Sequence, residues 1–159
     1  MPIQILARVD PARNRVEART EHDELLVLDA GEPDGDGSAP SPKETLLAAL
    51  AGCTSMDVAS ILRKKRQVAT TYEVAVSGDV VDEHPRVFSA ITVEHRVSGQ
   101  VEPEALRRSI ELSATRYCPV SAMLSASVRI EHWYRLTVEE GQTTEALVAV
   151  TGPKGSQVL

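Results

Sequence analysis

Aromatic side chains are scarce in this chain: one Phe, one Trp and three Tyr in 159 residues. With so few stacking platforms, reading of single-stranded bases is excluded as a main activity. A formal net charge of −6 argues equally against a polyanionic partner, so no nucleic acid is expected. Cysteine is scarcer still. Cys53 and Cys118 are too few for a disulfide scaffold, and neither lies in a C-x-x-C pair or in zinc-ligand spacing with any of the four histidines. No metal and no cofactor are therefore expected. No apolar run approaches the ~18 residues that a membrane span needs, which argues against a transmembrane protein. The start, MPIQILARVDPARNR, lacks the long apolar stretch and small-residue cleavage site of a signal peptide, so a cytoplasmic protein with reduced thiols is expected.

What is present is an aliphatic-rich chain, 42% hydrophobic, of a length that suits one domain over 1–159. Residues 3–10, 14–20 and 25–30 read as strands from their alternation and flanking breakers. GEPDGDGSAP (31–40) is a loop. The strongest signal follows at 41–67. Ser41 is an N-cap, Pro42 occupies the first helical position, and Glu44 completes a capping box. Basic residues Arg63 to Arg66 close the helix against its dipole, a role that suits them better than a nucleic-acid patch. Between Leu46 and Leu62 apolar and small residues cover nearly the whole circumference, with Asp57 the only charge, so the helix should be buried on most sides.

Strands are expected at 70–81 and 87–98. The second alternates Val87, Ser89, Ile91, Val93 and His95 against Phe88, Ala90, Thr92 and Glu94. A helix at about 102–115 carries a Leu106, Ile110, Ser113, Tyr117 stripe and i, i+4 pairs Glu104–Arg108 and Arg107–Glu111. A short helix over 118–124, a strand over 127–139 and a short strand over 147–150 complete the chain. There is no internal repeat. Strands and helices fall in blocks, which makes the fold class α+β.

The two cysteines differ in setting. Cys53 is mid-helix and follows Gly52, a residue that costs about 1 kcal/mol there and suggests close approach of another chain or a ligand. Residue type alone makes Cys53 an apolar filler. Cys118 immediately precedes the proline that opens a short helix, where free N–H groups stabilise a thiolate; local electrostatics therefore makes Cys118 the more acidic thiol.

Two segments carry a resemblance. SPKETLLAALAGCTSMDV (41–58) and RYCPVSAML (116–124) resemble the OsmC/Ohr family, which takes its names from osmotically inducible protein C and organic hydroperoxide resistance protein. The family pattern is a Pro-led helix with a first Cys and a Cys-Pro-x-Ser stretch roughly 60–70 residues on; here 65 residues separate Cys53 from Cys118. The resemblance covers about 10–140, leaving the tail 141–159 unmatched. It implies an OsmC-like fold in which curved antiparallel sheets wrap central helices of an intertwined homodimer. It also implies thiol peroxidase chemistry on organic or inorganic hydroperoxides. Cys53 would be oxidised to a sulfenic acid and Cys118 would resolve it as a disulfide, which an external dithiol, of the lipoyl kind, would reduce.

The hydroperoxide-reductase branch begins its helix Pro-Glu, and that Glu with an N-terminal Arg activates the thiolate. Here Lys43 follows Pro42 and Glu44 comes one position later, a rotation of about 100°, so a catalytic Glu44 competes with its capping-box role. Arg15 is the candidate arginine, with Arg13 and Arg19 as rivals. These departures place the chain nearer the OsmC-like branch. Met56 and Tyr117 are candidate walls of the thiol pocket or plain core. Two readings stand: a cofactor-free peroxidase, or a non-catalytic OsmC-fold dimer that binds a small molecule and keeps its cysteines as structure.

Overall fold

The computed structural model describes residues 2–159, which form two compact units, one running to Leu46 and one from Leu47 to Leu159. The first is an antiparallel sheet of β1 (Ile5–Asp10), β2 (Arg15–Thr20) and β3 (Leu25–Asp29) in sequence order. It leaves Ile5, Leu6, Val9, Leu25 and Leu26 exposed. Its loop is pinned from inside, because the buried Asp29 carboxylate accepts hydrogen bonds from the Ser38 backbone N–H at 2.9 Å and its hydroxyl at 2.8 Å. At the far end of the loop Ser41 and Glu44 cap the first helix reciprocally: Glu44 Oε2 accepts from the Ser41 N–H at 2.7 Å, and the Glu44 N–H donates to Ser41 Oγ at 3.3 Å.

That helix, α1, runs over Pro42–Lys64. It is less enclosed than its composition suggests. Only Leu50, Thr54, Val58 and Leu62 are buried, one stripe at i, i+4 spacing, while Met56 is 74% exposed. A Cβ placed on Gly52 would meet nothing within 4 Å, so no backbone of the same chain approaches it. One chain supplies one wall for this helix, which is why all-round apolar composition overstates its burial. By length and composition α1 would also suffice to cross a membrane, a property that counting uninterrupted apolar runs misses. Its Leu50, Val58 and Leu62 are instead core residues.

The second unit carries a five-stranded sheet in sequence order: β4 (Val68–Val80), β5 (Phe88–Gln100), β6 (Arg129–Thr137), β7 (Thr143–Gly152) and β8 (Gly155–Val158). β5 and β6 are parallel; every other pair is antiparallel. A parallel neighbour requires the chain to return the length of the sheet. It does so through α2 (Pro103–Leu112), a π-helical turn (Ser113–Tyr117) and α3 (Pro119–Ser125). The inward rows of β5 (Ile91, Val93, His95, Val97) and β6 (Ile130, His132, Tyr134, Leu136) are buried, following the period-2 rule. Burying each of these aliphatic side chains stabilises the fold by about 1.5–3 kcal/mol, which fixes the sheet face beneath the returning segment.

The π turn changes two expectations. Its signature bond, Cys118 N–H to the Ser113 carbonyl at 3.0 Å, inserts a residue into the helical period. Leu106, Ile110 and Ser113 are buried as one stripe, but Tyr117 swings off it and is 48% exposed. On α2 the ion pairs form at i, i+3 instead: Arg107–Glu104 at 3.1 Å, and Arg108–Glu111. The tail holds more strand than the apolar run LVAV indicates, since β7 is ten residues long and its hairpin adds β8.

His95 and His132 are fully buried, and burial, with each other's charge acting on His95, depresses His95 to about 3 and His132 to about 4. Both values lie below the ~6.5 of an unfolded histidine. As pH falls below that, the unfolded chain takes up protons that the native core refuses, so stability falls. The urea midpoint should be flat above about pH 6.5. Below it, unfolding free energy should drop by up to about 1.4 kcal/mol per pH unit for each histidine. A midpoint unchanged between pH 7.5 and 5 would show that these histidines are protonated in the native state.

Candidate active site

The crossover sets the second sulfur over the sheet and against α1. Cys118 joins the π turn to α3 in extended conformation (φ −73°, ψ 105°), and its Sγ caps α3 by accepting the Ser121 N–H at 3.3 Å. It is 2% exposed and packs with Leu50, Ile91, Val93, Val128 and Ile130; the half-buried Cys53 packs against the same cluster. Cys53 Sγ, Cys118 Sγ and an Asp57 carboxylate oxygen all lie within 4.8 Å of one another. Asp57 follows Cys53 by one helical turn, so both project from the same side of α1. Both cysteines are free thiols.

Behind the sulfurs runs a chain of hydrogen bonds. Ser113 Oγ donates to Asp57 Oδ2 at 3.0 Å and lies 3.0 Å from Thr54 Oγ1. Thr54 Oγ1 is 3.4 Å from His95 Nε2, and His95 Nδ1 is 2.7 Å from the Tyr72 hydroxyl. The direction of donation follows from counting hydrogens. A carboxylate has none to give, so Ser113 spends its single proton on Asp57 and must accept from Thr54. Thr54 in turn accepts from His95 Nε2–H, and the other nitrogen of the neutral ring accepts from Tyr72. Every link points toward Asp57. Ser121 Oγ, buried beside Cys118, has no partner among the described residues.

Cys118 is held away from its thiolate form. Burial chiefly, then a hydrogen bond shared with Cys53 and the negative charge of Asp57, push its thiol up to about 12, against the opposing donation from Ser121. The local argument from a helix N-terminus is thereby overturned: one N–H at the start of a seven-residue helix is outweighed by loss of water.

The candidate arginines and Glu44 belong to the N-terminal unit. Arg15 donates to Ser38 and pairs with Asp29 at 3.8 Å. Its rivals are engaged too, Arg13 with Asp36 at 2.9 Å and Arg19 with Asp23 at 2.9 Å. Glu44 serves the cap, and its hydrogen bonds from Ser41 hold its carboxyl below the usual range. Met56 is solvent-facing in this chain. Among the described residues, Cys53, Cys118 and Asp57 are the one trio of potential donor atoms that converges. A soft metal would compete for the same sulfurs that a disulfide needs.

Sequence reasoning passed over Asp57, Thr54, Ser113 and Tyr72 as functional residues. The signal for Asp57 was there: a sole charge in an uncharged helical stretch, four residues after a cysteine. The signal for Thr54 and Ser113 was not, because short hydroxyls are common on buried stripes.

The sequence also matches a known family. The chain matches the family described as OsmC-like protein over residues 35–132, more than half its length and including both cysteines. The chain belongs to the OsmC-like family. Protein YhfA of Escherichia coli K12 is 38% identical over 112 residues, which span 70% of this chain and 81% of YhfA. Among solved structures, a hypothetical protein of Aquifex aeolicus superposes with a TM-score of 0.77 at 23% identity, covering 87% of this chain and 98% of that one. An organic hydroperoxide resistance protein OsmC of Legionella pneumophila superposes with a TM-score of 0.61 at 15% identity, covering 87% and 96%. Identities this low speak for the fold alone.

The contrast in exposure gives an expectation for labelling. Iodoacetamide at neutral pH should alkylate Cys53 and leave Cys118 unmodified until the chain is unfolded. Peptide mass spectrometry reads this directly, and equal labelling of both in the native protein would contradict the burial of Cys118.

Proposed function

We propose that this OsmC-like protein is a cofactor-free thiol peroxidase acting on hydroperoxides, with Cys53 as the peroxidatic residue and Cys118 as the resolving one. The observation that supports it is the sulfur pair within 4.8 Å, one thiol accessible and one sequestered. Cys53 thiolate attacks the terminal oxygen of a hydroperoxide. The O–O bond breaks, the alkoxide leaves and takes a proton to become an alcohol, and the sulfur keeps the hydroxyl as a sulfenic acid. Cys118 then condenses with it, expelling water and leaving a disulfide. An external dithiol, a lipoyl group by family resemblance, returns both thiols by exchange. Arg15 is the proposed source of positive charge for the thiolate, and Glu44 a proposed auxiliary; both tasks follow the family pattern. A cytoplasmic location fits, since reduced cysteines are required at rest.

The protein is further proposed to act as a homodimer. The outward side of α1 presents Ala48, Ala49, Gly52, Met56 and Ala59, mostly small residues that let a second helix approach closely, and the apolar residues of β1 and β3 are uncovered. An obligate homodimer of this kind buries upward of ~2,000 Å² in total. Sedimentation at micromolar concentration should give twice the 17.2 kDa chain mass. A stable monomer would remove this part of the proposal.

Free-thiol titration tests the chemistry. One equivalent of cumene hydroperoxide should remove two thiols per chain with no intermolecular crosslink. Cys53→Ser should abolish peroxide consumption, whereas Cys118→Ser should react once and accumulate a sulfenic acid that dimedone traps. If neither substitution alters peroxide consumption, the protein is not a thiol peroxidase, and the reading as a non-catalytic small-molecule binder takes its place.

A further inference from the structure

We propose that Asp57 is the proton-transfer residue of disulfide formation: its carboxylate takes the proton from the Cys118 thiol as that sulfur attacks Cys53, and Ser113 is the positioning residue that aims it. The proposal deepens the peroxidase reading and rests on it for the identity of the natural step.

The geometry is unusual for a carboxylate. Asp57 has no ion-pair partner among the described residues, lies on a helix whose neighbouring charges are far along the chain, and faces two sulfurs. A structural carboxylate in such a place would be poorly rewarded, since its charge opposes thiolate formation on either sulfur. A proton acceptor is what the step requires. Cys118 is buried in an aliphatic cluster at 2% exposure, so a base held beside it is better placed than bulk base to make it nucleophilic. The carboxylate oxygen stands within 4.8 Å of its sulfur, and such contacts in resting sites are commonly long and tighten as reaction proceeds. Its other requirement is a fixed direction. The Tyr72–His95–Thr54–Ser113 chain delivers its terminal hydrogen bond to Oδ2, which anchors the carboxylate beside the sulfurs.

The step balances. The electron pair of the Cys118 sulfur forms the S–S bond, so that sulfur is oxidised and the sulfenic sulfur of Cys53 is reduced. The S–O bond breaks and hydroxide departs with its electrons. The Cys118 proton passes to Asp57 and on to the departing hydroxide, giving water and restoring the carboxylate. The titratable groups around the step are Cys53 and Asp57 on α1 and Cys118 ahead of α3, with His95 on β5 and Tyr72 on β4 behind the two hydroxyls.

A test independent of peroxide uses Ellman's reagent. The half-buried Cys53 displaces one thionitrobenzoate and becomes a mixed disulfide; Cys118 then attacks it, expels a second thionitrobenzoate and gives up its proton. Asp57→Asn keeps the shape and can still accept from Ser113. It should leave the first release unslowed, since a repelling charge has gone, and slow the second about a hundredfold at pH 7, within the usual range for a lost general base. The slowed phase should recover as pH rises and hydroxide substitutes. Asp57→Glu should restore part of the rate, and Ser113→Ala should slow the second phase by a smaller factor with the first unchanged. A second phase in Asp57→Asn within threefold of the unaltered protein at pH 7 overturns the proposal. Where circular dichroism shows that variant unfolded, a second phase unchanged in Ser113→Ala overturns it. An unaltered protein that loses no thiols to hydroperoxide, yet shows the Asp57-dependent phase, would remove the peroxidase reading and leave this role for Asp57 standing.

Discussion

The hydrogen bond from Ser113 to Asp57 joins the crossover between β5 and β6 to the central helix, at 3.0 Å, and the chemistry of the second unit is arranged around it. Among the described residues the one hydrogen bond that the Asp57 carboxylate accepts comes from a hydroxyl with a single hydrogen to give. That scarcity orders the whole chain back to Tyr72. Each buried polar group in it would cost about 1–3 kcal/mol if left unpaired, so breaking one link disturbs more than that link. The same bond sets the π turn in register with α1. Ser113 supplies both the hydroxyl that meets Asp57 and the carbonyl that accepts from Cys118, so the residue that aims the carboxylate also places the second sulfur.

Two effects compete at Cys118, and their sizes decide its character. Capping α3 favours the thiolate, but through one N–H at 3.3 Å and the dipole of a very short helix. Burial opposes it, and full burial moves pKa values by as much as 3–5 units. Desolvation prevails, and the thiol is held at about 12. The outcome is consistent with the division of labour proposed here. A sulfur already ionised beside Asp57 and a Cys53 thiolate would crowd like charges into a mostly dry space, whereas a neutral one waits until its partner is oxidised.

Much of this was legible in the sequence. The capping box of Ser41 and Glu44 is present as read, whereas the inward alternation holds at Ile91, Val93 and His95 but not at Val87 and Ser89, and the Leu106–Ile110–Ser113 stripe holds without Tyr117. The proximity of Cys53 to Cys118 was legible only through family resemblance, since nothing in a 65-residue separation states it. Three features were beyond reach for physical reasons. The π turn depends on where Cys118 is pulled by its cluster, not on the propensity of SATRY. β8 is a polar four-residue strand whose existence depends on the edge of β7. The enclosure of α1 was overestimated because composition reports what a helix can bury and not what one chain provides to bury it.

That last point bears on assembly. A helix of 23 residues is about 34 Å long at a rise of ~1.5 Å per residue, yet only four of its side chains are buried here. The rest of its surface is not that of a solvated helix. Between Leu46 and Leu62 it bears one charge, the partly buried Asp57 beside the sulfurs. Solvated helices carry charges at many outward positions because these tolerate water at no cost and keep the chain soluble. A helix that between Leu46 and Leu62 spends no fully exposed position on charge, and fills several with Ala, is shaped for contact with another backbone. The proposed dimer face therefore adjoins the candidate site on the same helix, and a substitution at Gly52, one residue before Cys53, would act on the outward face and on the sulfur together.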